Sequence, residues 1–141
     1  MTKDDIIALI EKREGDIDKS IFNTTDKGFG SNQFRELASI CLQTDIYQEV
    51  ELLIQYNISK DKPDNQNDYK SWSAAKDGHP SIGEIVIDCM NKIKDKSTED
   101  DLMKNLSLFF GYMYWKARIW SSKNANKTSV KQKRRPKNAV R

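Results

Sequence analysis

The chain is poor in the residues that carry most enzyme chemistry. In 141 residues it has one histidine, two cysteines and three prolines. The histidine, His79, lies between Gly78 and Pro80 with no partner in sight, and reads as a turn residue rather than a general base. Cys41 and Cys89 fall on apolar positions of helical patterns and form no Cys-x-x-Cys, which points to buried free thiols and away from a zinc knuckle or a redox motif. Neither glycine-rich phosphate-binding pattern is present, and Gly28-Phe29-Gly30 alone is too short a signal. The acid pairs Asp64/Asp68 and Asp100/Asp101 occupy a polar loop and a helix start, where solvated carboxylates are expected anyway. The expectation is a protein that is not an enzyme and holds no metal or cofactor. No apolar run of about 18 residues offers a membrane span. Acids at Asp4 and Asp5 stand where a secretory signal carries basic and then apolar residues, so a cytoplasmic location is expected.

Charge is present but unevenly placed. The net charge is +3. Residues 122–141 hold Lys123, Lys127, Lys131, Lys133, Arg134, Arg135, Lys137 and Arg141 and no acid. The first 121 residues keep 16 of the 24 basic residues and all 21 acidic ones, a net of −5. An acidic globule with a basic tail suits a polyanion partner, because each neutralised phosphate releases condensed counterions. The division expected is a helical domain over 1–121 and a disordered tail over 122–141, too poor in apolar residues to fold alone.

Helical periodicity dominates the first 121 residues, and no strand pattern competes with it. Thr2-x-x-Asp5 resembles a capping box and opens a helix at about 3–14, with Gly15 as a stop. Ile17, Ile21 and Phe22 suggest a short helical turn, and 23–28 a loop. Phe34, Leu37, Ala38, Cys41 and Leu42 line one helix face, and Ile46, Val50, Leu53 and Ile54 extend the stripe. That is either one kinked helix or two, over about 32–58. Polar residues 59–67 read as a loop, and Tyr69, Trp72 and Ala75 as a short helix at about 67–77. Ser81-x-x-Glu84 caps a helix at about 82–95. Ser97 or Thr98 caps the last helix, with Glu99, Asp100 and Asp101 in its first turn, where they complement the helix dipole. Leu102, Leu106, Phe109, Met113, Ala117 and Trp120 make one stripe of that helix, and Leu108, Gly111 and Trp115 a second. A helix apolar nearly all round is central in its bundle or shared with a partner. The fold class is all-α, a compact bundle of about five helices.

Basic and aromatic residues interleave twice, at Tyr69 to Lys76 and at Tyr114 to Lys123. Basic groups neutralise phosphates and aromatic faces stack bases or line a subunit contact.

The order of elements resembles the small subunit of type III CRISPR effector complexes, the III-A (Csm) type first, with III-B and III-D still open. Four stretches carry the resemblance. They are Ser31 to Cys41, the run Tyr-x-x-Trp-x-Ala-Ala-Lys-x-Gly at 69–78, the Ile82–Ile93 helix with its Lys/Asp-rich turn, and the aromatic run Leu106 to Trp120. They span residues 31–121, and none is a sharp motif. The acidic N-terminal part, the 59–67 loop and the basic tail depart from the family. The resemblance implies a non-catalytic subunit, stacked in several copies beside a duplex of guide RNA and target RNA and in contact with other effector subunits. It also implies phosphate contacts from Arg35, Lys76, Lys116 and Arg118. The basic run adds Lys123, Lys133, Arg134 and Arg135. Such contacts follow charge and salt rather than sequence. Two other readings stand beside it: a helical protein-interaction adaptor or inhibitor of phage or plasmid type, and a nonspecific nucleic-acid binder acting through its tail.

Overall fold

A computed structural model describes residues 1–23, 31–60, 72, 73 and 75–140, with the backbone alone for Ser20, Asn23, Lys60 and 123–140. Five α-helices form the bundle: α1 (Lys3–Arg13), α2 (Ser31–Gln43), α3 (Tyr47–Lys60), α4 (Ile82–Lys96) and α5 (Leu102–Val140). Two 3₁₀ turns, Glu14–Asp16 and Lys19–Asn23, follow α1. No strand occurs among the described residues, only a single antiparallel bridge between Ala75 and Ser81. None of the described helices is long and apolar enough to cross a membrane.

The caps form as expected at two helix starts. The Thr2 hydroxyl accepts the Asp5 amide at 3.2 Å while the Asp5 carboxylate accepts the Thr2 amide at 2.8 Å. Ser81 and Glu84 repeat the arrangement at 3.2 and 3.0 Å. Each pair satisfies amides that have no partner inside the helix.

The stripe over 32–58 resolves into two helices. The Thr44 hydroxyl accepts the Ile46 amide at 3.1 Å, a local bond that competes with helix continuation. The break changes which residues reach the core. Phe34, Leu37 and Cys41 are buried from α2, and Val50 and Ile54 from α3. Leu42 and Ile46, expected on that same stripe, are exposed instead. Leu42 lies about 100° round the helix from Cys41, and Ile46 falls in the break.

The short helix expected at 67–77 is corrected where the structure describes it. Residues 72, 73 and 75–77 are turns, a bridge residue and irregular backbone. The Trp72 carbonyl accepts the Gly83 amide at 2.9 Å rather than one four residues on. A tight turn follows, with the His79 amide donating to the Lys76 carbonyl at 2.9 Å and Gly78 at φ 77°. The 59–67 loop lies almost wholly outside the described residues, as does most of the 23–28 loop.

The acids Glu99, Asp100 and Asp101 stand in the turn before α5 rather than in its first helical turn. Thr98 caps that turn, its hydroxyl accepting the Asp101 amide at 3.2 Å. On α5 the stripe Leu106, Phe109, Met113, Ala117 and Trp120 is buried together with Phe110. α2 makes the most extensive packing against it. The Ser107 hydroxyl donates to the Ala38 carbonyl at 2.8 Å and fixes the register. Ile17, Ile21 and Phe22 close the core over Trp120, with the Phe22 and Trp120 rings 5.3 Å apart.

The backbone of α5 runs on through Val140. No glycine or proline stands between Tyr112 and Arg135 to stop it.

Candidate nucleic-acid interface

The eight residues expected to meet phosphate fall into three groups. Lys76 and Lys116 reach the same turn at the end of α1. Lys76 Nζ donates to the Gly15 carbonyl at 2.8 Å. Lys116 Nζ donates to Glu14 Oε1 at 2.8 Å and lies 3.4 Å from Glu11 Oε2. Glu14 also accepts the Trp120 indole N–H at 3.2 Å and has Lys19 at 3.6 Å. Burial pushes the Glu14 carboxyl up. The hydrogen bonds from Lys116 and Trp120, with the charges of Lys116 and Lys19, outweigh it and hold the group below its ordinary range. The hydrogen bond to Glu14 chiefly raises Lys116, and Glu11 adds to it, against a smaller effect of burial. Its charge is thus matched inside the protein, and Lys116 has little left to offer a phosphate.

Arg35 and Arg118 form the second group. The Arg35 guanidinium lies 6.0 Å from the centroid of the Tyr114 ring, at the outer reach of a cation–π contact. Arg118 is one turn beyond Tyr114 on α5 and is exposed. Arg118 and Lys116 are about 200° apart on the helix, so they serve opposite faces. On the outer side of α5, Trp115 is 62% exposed and Ile119 48%. The Tyr112 ring is tilted against Trp115 at 5.7 Å. Two guanidinium groups with an exposed indole and a phenol ring can pair phosphates and stack a base.

Lys123, Lys133, Arg134 and Arg135 form the third group, on the backbone of the second half of α5. Their side chains lie outside the described residues. They follow Trp120, the last buried residue of α5 among the described side chains.

No known family model, curated protein or solved structure matches this chain. The site therefore stands on its own geometry.

Among the described residues no three His, Cys, Asp or Glu side chains cluster in a way that could hold a metal ion. His79 does have a partner that the sequence concealed. Its Nδ1 lies 3.0 Å from Asp16 Oδ1, while Arg13 Nε donates to Asp16 Oδ2 at 2.9 Å. Arg13 also pairs with Asp88 on α4. The hydrogen bond from Arg13 chiefly holds the Asp16 carboxyl below its ordinary range. This chain of polar contacts ties the end of α1 to the 76–79 turn and to α4. The cysteines are buried and free, and burial pushes the Cys41 thiol up to about 12 and Cys89 up to about 11, far from nucleophilic.

Sequence reasoning missed two features. The ion pairs of Lys116 join residues about a hundred positions apart, and no local spacing announces them. The exposure of Leu42 and Ile46 was hidden in a stripe that looked continuous.

Proposed function

We propose that the chain is a non-catalytic helical subunit of a cytoplasmic ribonucleoprotein assembly, and more narrowly a small subunit of a type III CRISPR effector complex. One observation carries the reading. A single helix, α5, supplies the core stripe, an exposed Arg/Trp surface and then the basic run, so the bundle presents a polyanion-binding element continuous with its own core. In this reading Arg35 and Arg118 contact RNA phosphates, Trp115 and Tyr112 stack on a base or a subunit, and 123–141 follows the phosphate backbone. Guide RNA, target RNA, neighbouring effector subunits and further copies of the chain are the partners.

An affinity pull-down of the tagged protein from its own cells tests the proposal, with bound RNA run on a denaturing gel. A discrete guide-sized RNA, accompanied by larger proteins in fixed ratio, supports it. A protein partner without RNA turns the reading to the adaptor, which the exposed apolar surface of α2 and α3 also suits. A smear of mixed nucleic acid lost at high salt reduces it to nonspecific binding by the basic run.

A further inference from the structure

Between α1 and α4 runs an open trough of about 490 Å³, lined by none of the eight candidate phosphate contacts. The two helices lie antiparallel along it. Arg13 at the end of α1 pairs with Asp88 in the first half of α4. Asp5 near the start of α1 is held below its ordinary range chiefly by the hydrogen bonds to Thr2, and Lys96 at the end of α4 adds its charge. Asp5, Ala8, Leu9 and Lys12 stand at i, i+3, i+4 and i+7 and make one face of α1 over about 10 Å. Lys92 and Lys96, four residues apart, line the trough from α4. Met1 and Leu9 pack against the core from below, and Ala8 is exposed.

The lining holds three cations against one anion. Lys12, Lys92 and Lys96 are all exposed. Lys92 is shared with Asp88 at 3.3 Å. Lys12 and Lys96 make no ion pair among the described residues. Asp5 is committed to the helix cap, where it accepts the Thr2 amide at 2.8 Å. Lys12 and Lys96 each stand in the last turn of a helix, where a cation complements the dipole. The dipole does not dictate which side of the helix the cation takes. Here all three lysines surround one apolar lining. Two other grooves have the opposite balance. In the α2–α3 groove Glu49 is the one charged lining residue. In the cleft beside the 75–77 turn, Glu14, Asp18 and Asp77 stand against Lys19 and Lys76.

We infer that the α1–α4 trough is the docking site for an acidic amphipathic helix of another protein, its apolar side on Met1, Ala8 and Leu9 and its carboxylates toward Lys12, Lys92 and Lys96. The apolar lining supplies contact area, and the lysines select acidic flanks and disfavour basic ones. Ala8, midway along the α1 face, leaves room for a third helix, because the distance between helix axes is set by the side chains at the contact. A phosphate chain would use the lysines and leave the apolar lining unmatched, so nucleic acid fits less well. A second copy of this chain is also the weaker match, since each copy carries a net +3 and like-charged chains repel. The inference concerns a protein contact and stands apart from the RNA reading.

The test uses the full chain and two synthetic helical peptides of about 18 residues. Both carry leucine at i, i+3, i+7 and i+10, one with glutamate flanks and the other with lysine. Binding is read by fluorescence anisotropy at about 0.15 M salt, where attraction between unanchored charges is screened, and self-association by sedimentation. The glutamate peptide is expected to bind at micromolar concentration and the lysine peptide about tenfold more weakly or worse. Lys12→Gln and Lys96→Gln together, both at exposed positions, should weaken the glutamate peptide about five- to tenfold and leave the thermal midpoint unchanged. Lys133→Gln, Arg134→Gln and Arg135→Gln together should change its binding little. Equal binding of both peptides, no binding of either, or a loss that follows the basic run rather than Lys12 and Lys96 overturns the inference. A Lys12/Lys96 variant that loses affinity for single-stranded RNA and keeps it for the peptide overturns it too, and assigns the lysines to phosphate. Concentration-dependent self-association that the same variant abolishes also overturns it, and assigns the trough to a second copy.

Discussion

Lys116 separates what the sequence suggests from what the structure shows, and replacing it with methionine tests the difference. The substitution keeps the stem of the side chain and removes the ammonium group that bridges Glu14 and Glu11. A hydrogen bond to a charged partner contributes about 1.5–3 kcal/mol when both groups are shielded. Here the Lys116 and Glu14 side chains are 22% and 25% exposed, so solvent screens part of it. The expected loss is about 1–2 kcal/mol, because Glu14 keeps Trp120 and Lys19 as partners. In urea unfolding the midpoint should fall with an unchanged slope. A cycle with Glu14→Gln should show coupling of about 1 kcal/mol, as expected for residues in direct contact. The pH dependence has a definite sign. A carboxyl held below its unfolded pKa contributes stability that is complete above the unfolded value, 4.5 for this glutamate, and is lost as the pH falls through the lower folded value. Lys116→Met and the parent chain should therefore converge in stability in strong acid. RNA affinity should stay within about twofold of the parent, since little free charge is lost. A variant that keeps full stability and loses RNA affinity several-fold would refute the reasoning and restore Lys116 as a phosphate contact.

Arg118→Gln should lower RNA affinity and flatten its salt dependence by a slope of about 0.7, the value for one phosphate contact on a single strand; no change in the log–log slope removes Arg118 from the interface. Gly83→Ala should destabilise by about 1–3 kcal/mol, although alanine normally favours a helix, because the new methyl would press into the Ile58 side chain and sit 3.0 Å from the Trp72 carbonyl oxygen; an unchanged thermal midpoint would show that α3 and α4 are not so close. Trp120→Ala should cost about 3–5 kcal/mol, while Trp115→Ala leaves stability nearly unchanged, and calorimetry of the two distinguishes core from surface. A thiol reagent at pH 8 should modify Cys41 and Cys89 only as fast as the chain opens; rapid labelling of the native protein contradicts their burial.

The helices were legible because their signals are local. Two reciprocal caps, at Thr2/Asp5 and Ser81/Glu84, and the Leu106 to Trp120 stripe each lie within a few turns of one element. What escaped is set by bonds between elements. Trp72 reads as helical from its neighbours, yet its carbonyl is taken by Gly83 on α4. The stripe over 34–54 contains enough apolar residues for one face, and only the Thr44 bond shows that the face divides. Among the candidate contacts, exposure of Arg118 follows from its place opposite the α5 stripe. The capture of Lys116 does not follow, because its partners come from α1.

That capture bears on where a polyanion could act. Within the acidic body several cations are paired in place: Lys116 with Glu14, Arg13 with Asp16 and Asp88, Lys92 with Asp88 at 3.3 Å, and Lys19 with Glu14 at 3.6 Å. Each such pair lowers the field outside the bundle and removes a competing site. Arg35 and Arg118 escape this pairing, and both lie against the part of α5 that leads into the basic run. A strand drawn to that run meets Trp115 and Arg118 next and the acidic body only beyond them. If phosphate contacts were instead spread evenly over the chain, substitutions at Arg35 and Lys76 would weaken RNA binding alike. If Arg35 is the contact and Lys76 serves only to tie its turn to α1, Arg35→Gln weakens RNA binding and Lys76→Gln, which removes the hydrogen bond to the Gly15 carbonyl, acts mainly on the turn.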